Sequence, residues 1–180
     1  KADITILPPL VAHYMRTRSA MFKDMEQAPE LLGNLRSMLS FPVGRMHIIV
    51  YEDSGITELS HIRDKNVFLG PPAGAATNIA KNVVLISTGM KPDQDFKMMP
   101  FDWQSAVTAF LDRQIDVYFV PAQIPSAMIE QFSLVNKIRF LAVPDDAWAH
   151  PGMAKVLGAP SITEAVLPVG IYDSQVNETP

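Results

Sequence analysis

The chain contains no cysteine, so disulfides, thiolate nucleophiles and thiolate metal sites are all excluded. It has no apolar run near the roughly 18 residues that a membrane-spanning helix requires. No signal-peptide pattern is read in these 180 residues either. Histidine is sparse. His13, His47, His61 and His150 lie far apart, and no His-Glu-x-x-His or clustered acidic pattern accompanies them. A metal site is therefore not expected. No Gly-x-Ser-x-Gly nucleophile elbow occurs, and Ser54 and Ser87 stand in no motif. The net charge of −4 argues against a nucleic-acid surface, and no run of like charges marks a tail.

What is present describes a globular chain. Of 180 residues, 48% are hydrophobic and 19% charged, enough to bury a sizeable core. Fifteen prolines against nine glycines suggest stiff, defined connections. The sequence starts abruptly at Lys1 in a strand-like pattern and ends abruptly at Gln175–Pro180. We expect a fragment of a longer protein, for which missing targeting signals carry no weight.

Local patterns predict the following elements. Ala2–Leu7 reads as a strand broken by Pro8-Pro9, Val11–Phe22 as a helix, and Asp24–Asn34 as a polar loop. Leu35–Leu39 is a short apolar piece. Met46–Tyr51 is continuously apolar, the mark of a strand buried on both faces. Ile56–Ile62 reads as a short helix and Val67–Leu69 as a strand. A helix follows with Ala76, Ile79, Ala80, Val83 and Val84 on one face, stopped by Gly89. Phe96–Pro100 is a strand, and Asp102 caps a helix from Trp103 to Arg113. Ile115–Val120 and Ile138–Val143 are strands. Between them Pro125 opens a helix reaching Phe132. Repeated alternation implies an α/β fold with a mainly parallel sheet.

Ligands of such sheets sit beyond the carboxyl ends of the strands. The loops at those ends are Gly70–Thr77, Met99–Trp103 and Pro121–Pro125. The first is the most informative part of the chain. It is a strand, then Gly70-Pro-Pro-Ala-Gly-Ala-Ala-Thr77, then a helix amino terminus. Free N–H groups and partial positive charge make such an end an anion site. Gly-Lys-Ser/Thr is missing, which excludes a P-loop, and Gly70 with Gly74 alone falls short of a Rossmann fingerprint. A tight turn that binds nothing stays open as the alternative. Asp116 is expected at the amino end of its strand, bonded to nearby backbone N–H groups rather than catalytic. Asp145-Asp146 reads as a solvated turn, and the ten methionines as core filling.

Several segments, in order, resemble the solute-binding subunits of TRAP tripartite transporters, specifically the TAXI branch. They are Ala2-Asp3-Ile4, Leu35-Arg36-Ser37, His47–Val50, Asp53-Ser54-Gly55-Ile56 and Leu59–Val67. The loop Gly70–Thr77 follows, then Asp112–Asp116, Gln123-Ile-Pro125 and Leu167-Pro-Val-Gly-Ile-Tyr172. In the loop, Ala75 and Ala76 stand where the family has serine and glycine. Asp64 and Arg113 stand where it has glycines.

The resemblance implies a type II periplasmic-binding-protein fold, with two lobes of mainly parallel sheet and one lobe incomplete in this chain. Residues 1–47 would be part of the first lobe with a crossover, 48–145 a complete second lobe, and 146–180 a return segment. It implies no enzyme and no cofactor, but a periplasmic protein that delivers a small organic acid or amino acid, glutamate-like or dicarboxylate, to membrane permease subunits. The ligand would be held by Ala73, Gly74, Ala75, Ala76, Thr77 and Asn78, through backbone donors and the Thr77 hydroxyl, with Gln123 adding an amide contact. An enzyme on the same scaffold and a cytoplasmic effector-binding domain are the competing readings. The lack of a nucleophile, a base or a metal set counts against the enzyme.

Overall fold

The computed structural model describes residues 4–40, 44–72, 74–157 and 165–177. In chain order the elements are α1 (Pro9–Thr17), α2 (Ala28–Gly33), β1 (Arg45–Tyr51), β2 (Asn66–Phe68), α3 (Ala75–Thr88) and β3 (Lys97–Met98). Then come α4 (Trp103–Leu111), β4 (Val117–Ala122), α5 (Ala127–Val135), β5 (Ile138–Phe140), α6 (Asp145–Trp148) and α7 (Pro151–Leu157).

The strands form one sheet in the order β3-β2-β4-β1-β5. β2 runs parallel to β3 and β4, while β1 is antiparallel to both of its neighbours, β4 and β5. Four strands therefore share one direction and β1 alone opposes them. The fold is α/β with a mainly parallel sheet, as the alternation predicts.

Burial follows the pleat. Ile48 and Val50 of β1, Val67 of β2, and Val117 and Phe119 of β4 face one side, where Ala80 and Val84 of α3 cover them. Ile49, Tyr51, Phe68, Tyr118 and Val120 face the other, under Ala106, Ala109 and Phe110 of α4 and Ile129 and Phe132 of α5. Period-two alternation on strands that are buried on both sides gives the continuous apolar runs seen in the sequence. The second core is aromatic. Phe110 lies 4.5 Å from Tyr51, 5.3 Å from Tyr118 and 4.7 Å from Phe132. Leu167 and Tyr172 complete this core, and the Tyr172 hydroxyl accepts from the Ser126 N–H at 3.1 Å. On the first side, Ala147 of α6 and Met153 of α7 pack with Val83 of α3.

Several boundaries differ from expectation. Residues 2 and 3 of the predicted first strand lie outside the described residues, and 4–7 are not in a strand. Pro8-Pro9 does not break structure but begins α1, because Pro9 occupies a first-turn position that needs no N–H. The predicted helix stops at Thr17, with only a 3-10 turn at Ala20–Phe22. The predicted polar loop contains α2, which Pro29 starts rather than interrupts. Leu35–Leu39 forms no element, and Leu35, Met38 and Leu39 are exposed. The helix at 56–62 reduces to a 3-10 turn, Leu59–Ile62. Pro125 lies outside α5, after a cis peptide bond from Ile124, and Ser126 takes the N-cap position. The strands at 96–100 and 138–143 are shorter than predicted. Their ladders continue in single bonds, Met99 N–H to Val67 at 2.9 Å and Leu141 N–H to Ile48 at 2.8 Å.

Candidate functional site

β3, β2 and β4 are neighbours and run the same way, so the loops that follow them share one edge of the sheet. These loops lead into α3, α4 and α5. α3 and α4 lie on opposite faces, yet both present their amino termini at this edge.

The loop after β2 turns on Gly70, whose φ is +115°. A Cβ there would stand 2.5 Å from Thr77 Oγ1 and 3.4 Å from both Thr77 N and Trp103 Cη2. Only glycine lets the strand end this close to α3. The Gly74 N–H donates to Pro71 O at 3.1 Å, and Gly74 O accepts the Asn78 N–H at 3.1 Å. Gly74 is the N-cap position and offers no side chain. The amides of Ala75, Ala76 and Thr77 thus open a 14-residue helix without intrahelical acceptors.

The predicted site residues are placed as follows. Ala73 lies outside the described residues. Ala75, Ala76 and Asn78 are half-buried around the first turn, and Gln123 is exposed in the loop after β4. Thr77 requires a correction. It is buried, and its hydroxyl donates to Pro71 O at 2.7 Å. A hydroxyl has one hydrogen, so this group fastens the loop instead of donating to a ligand. Its backbone N–H remains directed by the helix. Asp102 caps α4 as expected, accepting the Ser105 N–H at 2.7 Å. That bond holds its carboxyl below the usual carboxylate range.

Two residues at this edge had been given no individual role. Trp103, the first residue of α4, packs edge-on against Phe68 with ring centres 5.4 Å apart, yet remains 38% exposed. Its only sequence signal is an aromatic directly after an N-cap. Antiparallel β1 begins at the same edge, since Arg45 pairs with Ala122 and His47 with Val120. His47 is buried, and its Nδ1 lies 2.9 Å from Arg45 O. Burial pushes its pKa below the ordinary histidine value. Nε2 is enclosed without a hydrogen bond.

The opposite edge is closed by ion pairs. Arg113 grips Asp53 with two bonds of 2.7 and 3.0 Å and stands 4.0 Å over the Tyr51 ring. Arg139 grips Glu52 at 2.7 and 2.8 Å. Each guanidinium holds its partner's carboxyl below the usual range. Asp116 accepts the Asn66 N–H at 2.8 Å and so pins β2 to the start of β4. Arg113 and Asp64, where the resembled family has glycines, both take left-handed backbone with φ of +60° and +61°.

Two hollows lie elsewhere. One of about 250 Å³ is lined by Tyr14, Ile79, Asn82, Ile86, Gly152 and Val156. One of about 260 Å³ adjoins Tyr51, Asp53 and Arg113 at the closed edge. Among the described residues no group of three acidic or histidine side chains could hold a metal, and no helix is long and apolar enough to cross a membrane.

The sequence profile of the NMT1-like family matches residues 1–180. The chain belongs to the NMT1-like family. The chain is also similar to the crystal structure of the periplasmic aliphatic sulphonate binding protein SsuA from Escherichia coli. That similarity has 19% identity and a TM-score of 0.44, and it covers 53% of this chain and 29% of that one. No curated protein matches the NMT1-like chain.

Proposed function

We propose that this NMT1-like chain is the solute-binding part of a periplasmic, TRAP-type transport system. It captures a small organic acid or amino acid between two lobes and delivers it to membrane permease subunits. The observation that carries the reading is the open amino terminus of α3. It stands at the carboxyl edge of three adjacent parallel strands, where the sheet is expected to bind ligand. Glycine and alanine line it, so a carboxylate can reach the amides of Ala75 and Ala76. Charge-assisted bonds to backbone N–H are stronger than neutral ones. In this reading Gln123, exposed in the loop after β4, adds a side-chain amide contact.

Residues 48–145 form one lobe in this reading, while 1–47 and 146–180 connect it to a second. A ligand shared between two lobes meets each of them on an open surface. Glutamate-like and dicarboxylate solutes are the classes suggested by the resemblance to TAXI subunits.

The test is a thermal-shift screen of the full-length protein over amino acids, dicarboxylates and keto acids. A ligand at about 100 times its Kd stabilises by about 2.7 kcal/mol. Ala75→Asp places a carboxylate at the mouth and should abolish the shift. A full shift in that variant would remove α3 as the ligand site, and no shift with any acid would sink the proposal.

A further inference from the structure

We propose that the start of β1 is a pH-sensitive joint. Protonation of His47 in acid lifts Arg45–His47 off the end of β4 while the rest of the sheet stays closed. This holds whichever solute the protein binds and wherever it binds.

The joint is the least-held part of the central strands. β4 pairs with β1 from Arg45 to Ile49, whereas β5 pairs with Ile49–Tyr51 and adds one bond, Leu141 N–H to Ile48 O at 2.8 Å. Among the described residues, Arg45, Met46 and His47 are therefore paired on one side, with Ala122, Pro121 and Val120. Gly44 comes just before them. A Cβ there would stand 2.5 Å from Ala122 C and 2.9 Å from Gln123 N, so the entering backbone rests on the peptide that leaves β4. Opening at this point frees both the chain that enters the sheet and the chain that follows β4.

His47 supplies the trigger. It is 4% exposed, and its ring lies against Phe140 with centres 5.7 Å apart. Its Nδ1 is 2.9 Å from Arg45 O, which can only accept, so the neutral ring carries its hydrogen on Nδ1. The lone pair of Nε2 is enclosed and makes no hydrogen bond. A second proton has to go there, and the closed structure bonds nothing to it. Burial is the largest influence on the ring and disfavours the charged form. The Arg45 and Val120 carbonyls favour that form, and the Arg45 guanidinium opposes it. No carboxylate among the described residues acts on the ring. On the surrounding elements, Arg139 of β5 is bound to Glu52, and Tyr118 and Tyr172 are phenols kept neutral by burial. Water supplies the missing acceptor once the strand end lifts.

The sign follows from linkage. The opened ring takes a proton near the ordinary 6.5, and the closed ring does so only at lower pH. Below 6.5 the open population grows by up to about tenfold per pH unit, until the closed ring itself titrates.

The test is amide hydrogen exchange of the full-length protein from about pH 8 to about pH 5, corrected for the intrinsic pH dependence of exchange. Protection of residues 45–48 and 120–123 should fall below pH 6.5 by up to about tenfold per unit, while α3 keeps its protection. His47→Gln, whose amide can still donate to Arg45 O but does not titrate, should abolish the fall. His47→Phe should abolish it with an apolar ring. An NMR titration of the wild type needs no variant: the His47 imidazole should gain its proton below 6.5, in step with the loss of protection. Undiminished protection in the wild type while His47 titrates would overturn the proposal. So would the same fall in both variants, or a fall shared by α3 and the whole sheet, which would be global unfolding.

Discussion

Replacing Thr77 by valine tests whether its hydroxyl serves the loop or the ligand. The side chain is buried, and its hydroxyl donates to Pro71 O at 2.7 Å across a six-residue separation. Valine keeps the shape and removes the bond. A neutral hydrogen bond contributes about 0.5–1.5 kcal/mol net. Pro71 O keeps a second donor, the Gly74 N–H at 3.1 Å, so it is not left unsatisfied and the loss should stay near 1 kcal/mol. Thr77→Ser keeps the bond and loses a buried methyl, about 0.8 kcal/mol. Thr77→Ala loses both, close to 2 kcal/mol by adding about 1 and 0.8. Urea unfolding with a common slope should place Thr77→Ala well below both Thr77→Val and Thr77→Ser, with melting points falling about 2–4 °C per kcal/mol for a chain of this size. Because the amides of α3 are untouched, acid affinity in Thr77→Val should change by less than about threefold, under 0.7 kcal/mol. Thr77→Ala no less stable than Thr77→Ser would refute the loop bond. Unchanged stability with a collapse of affinity would show that the hydroxyl contacts the solute.

Two further outcomes follow from buried or pinned polar groups. His47 has a folded pKa below the ordinary 6.5, so the unfolded chain binds the proton more readily. Its contribution is fully present above pH 6.5 and is lost as pH falls below that value through the folded pKa. His47→Phe should therefore flatten the stability profile in that window, measured by urea midpoints, and an unchanged slope would show that His47 is not its source. Asp116→Ala removes the charged acceptor of the Asn66 N–H and should lower stability by about 1.5–3 kcal/mol while leaving solute affinity unchanged. A change in affinity on calorimetric titration would give Asp116 a part in binding.

Local chemistry made the sheet and α4 legible. β1, β2 and β4 carry mainly apolar runs because both of their faces are covered. Asp102 declared the start of α4, since an acidic N-cap before an amphipathic run has one structural use. Asp116 was readable because a carboxylate at a strand's amino end can bond the neighbouring strand's N–H. The α2 helix was not readable, because Pro29 signals a break and a first-turn position equally well. The Thr77 bond was hidden because its acceptor depends on a loop path set by the positive φ of Gly70. Trp103 was hidden for a related reason. Its packing on Phe68 joins segments that follow two different strands, and which strands adjoin is decided by the whole sheet. The reversed direction of β1 was likewise invisible, since an apolar run carries no sign.

That reversal bears on the site itself. A strand antiparallel to its neighbours begins where they end, so the chain enters the sheet at the carboxyl edge. Arg45 pairs with Ala122, the last residue of β4, and Gly44 precedes it with φ of +129°. A Cβ on Gly44 would lie 2.5 Å from Ala122 C and O and 2.9 Å from Gln123 N. The incoming backbone therefore rests directly on the peptide that leads into Gln123, the residue expected to contact solute. Two requirements meet at that point, a left-handed backbone and a contact too close for any side chain, and glycine alone meets both. If residues 1–47 do lead from a second lobe, the connection between lobes and the Gln123 loop touch without an intervening side chain.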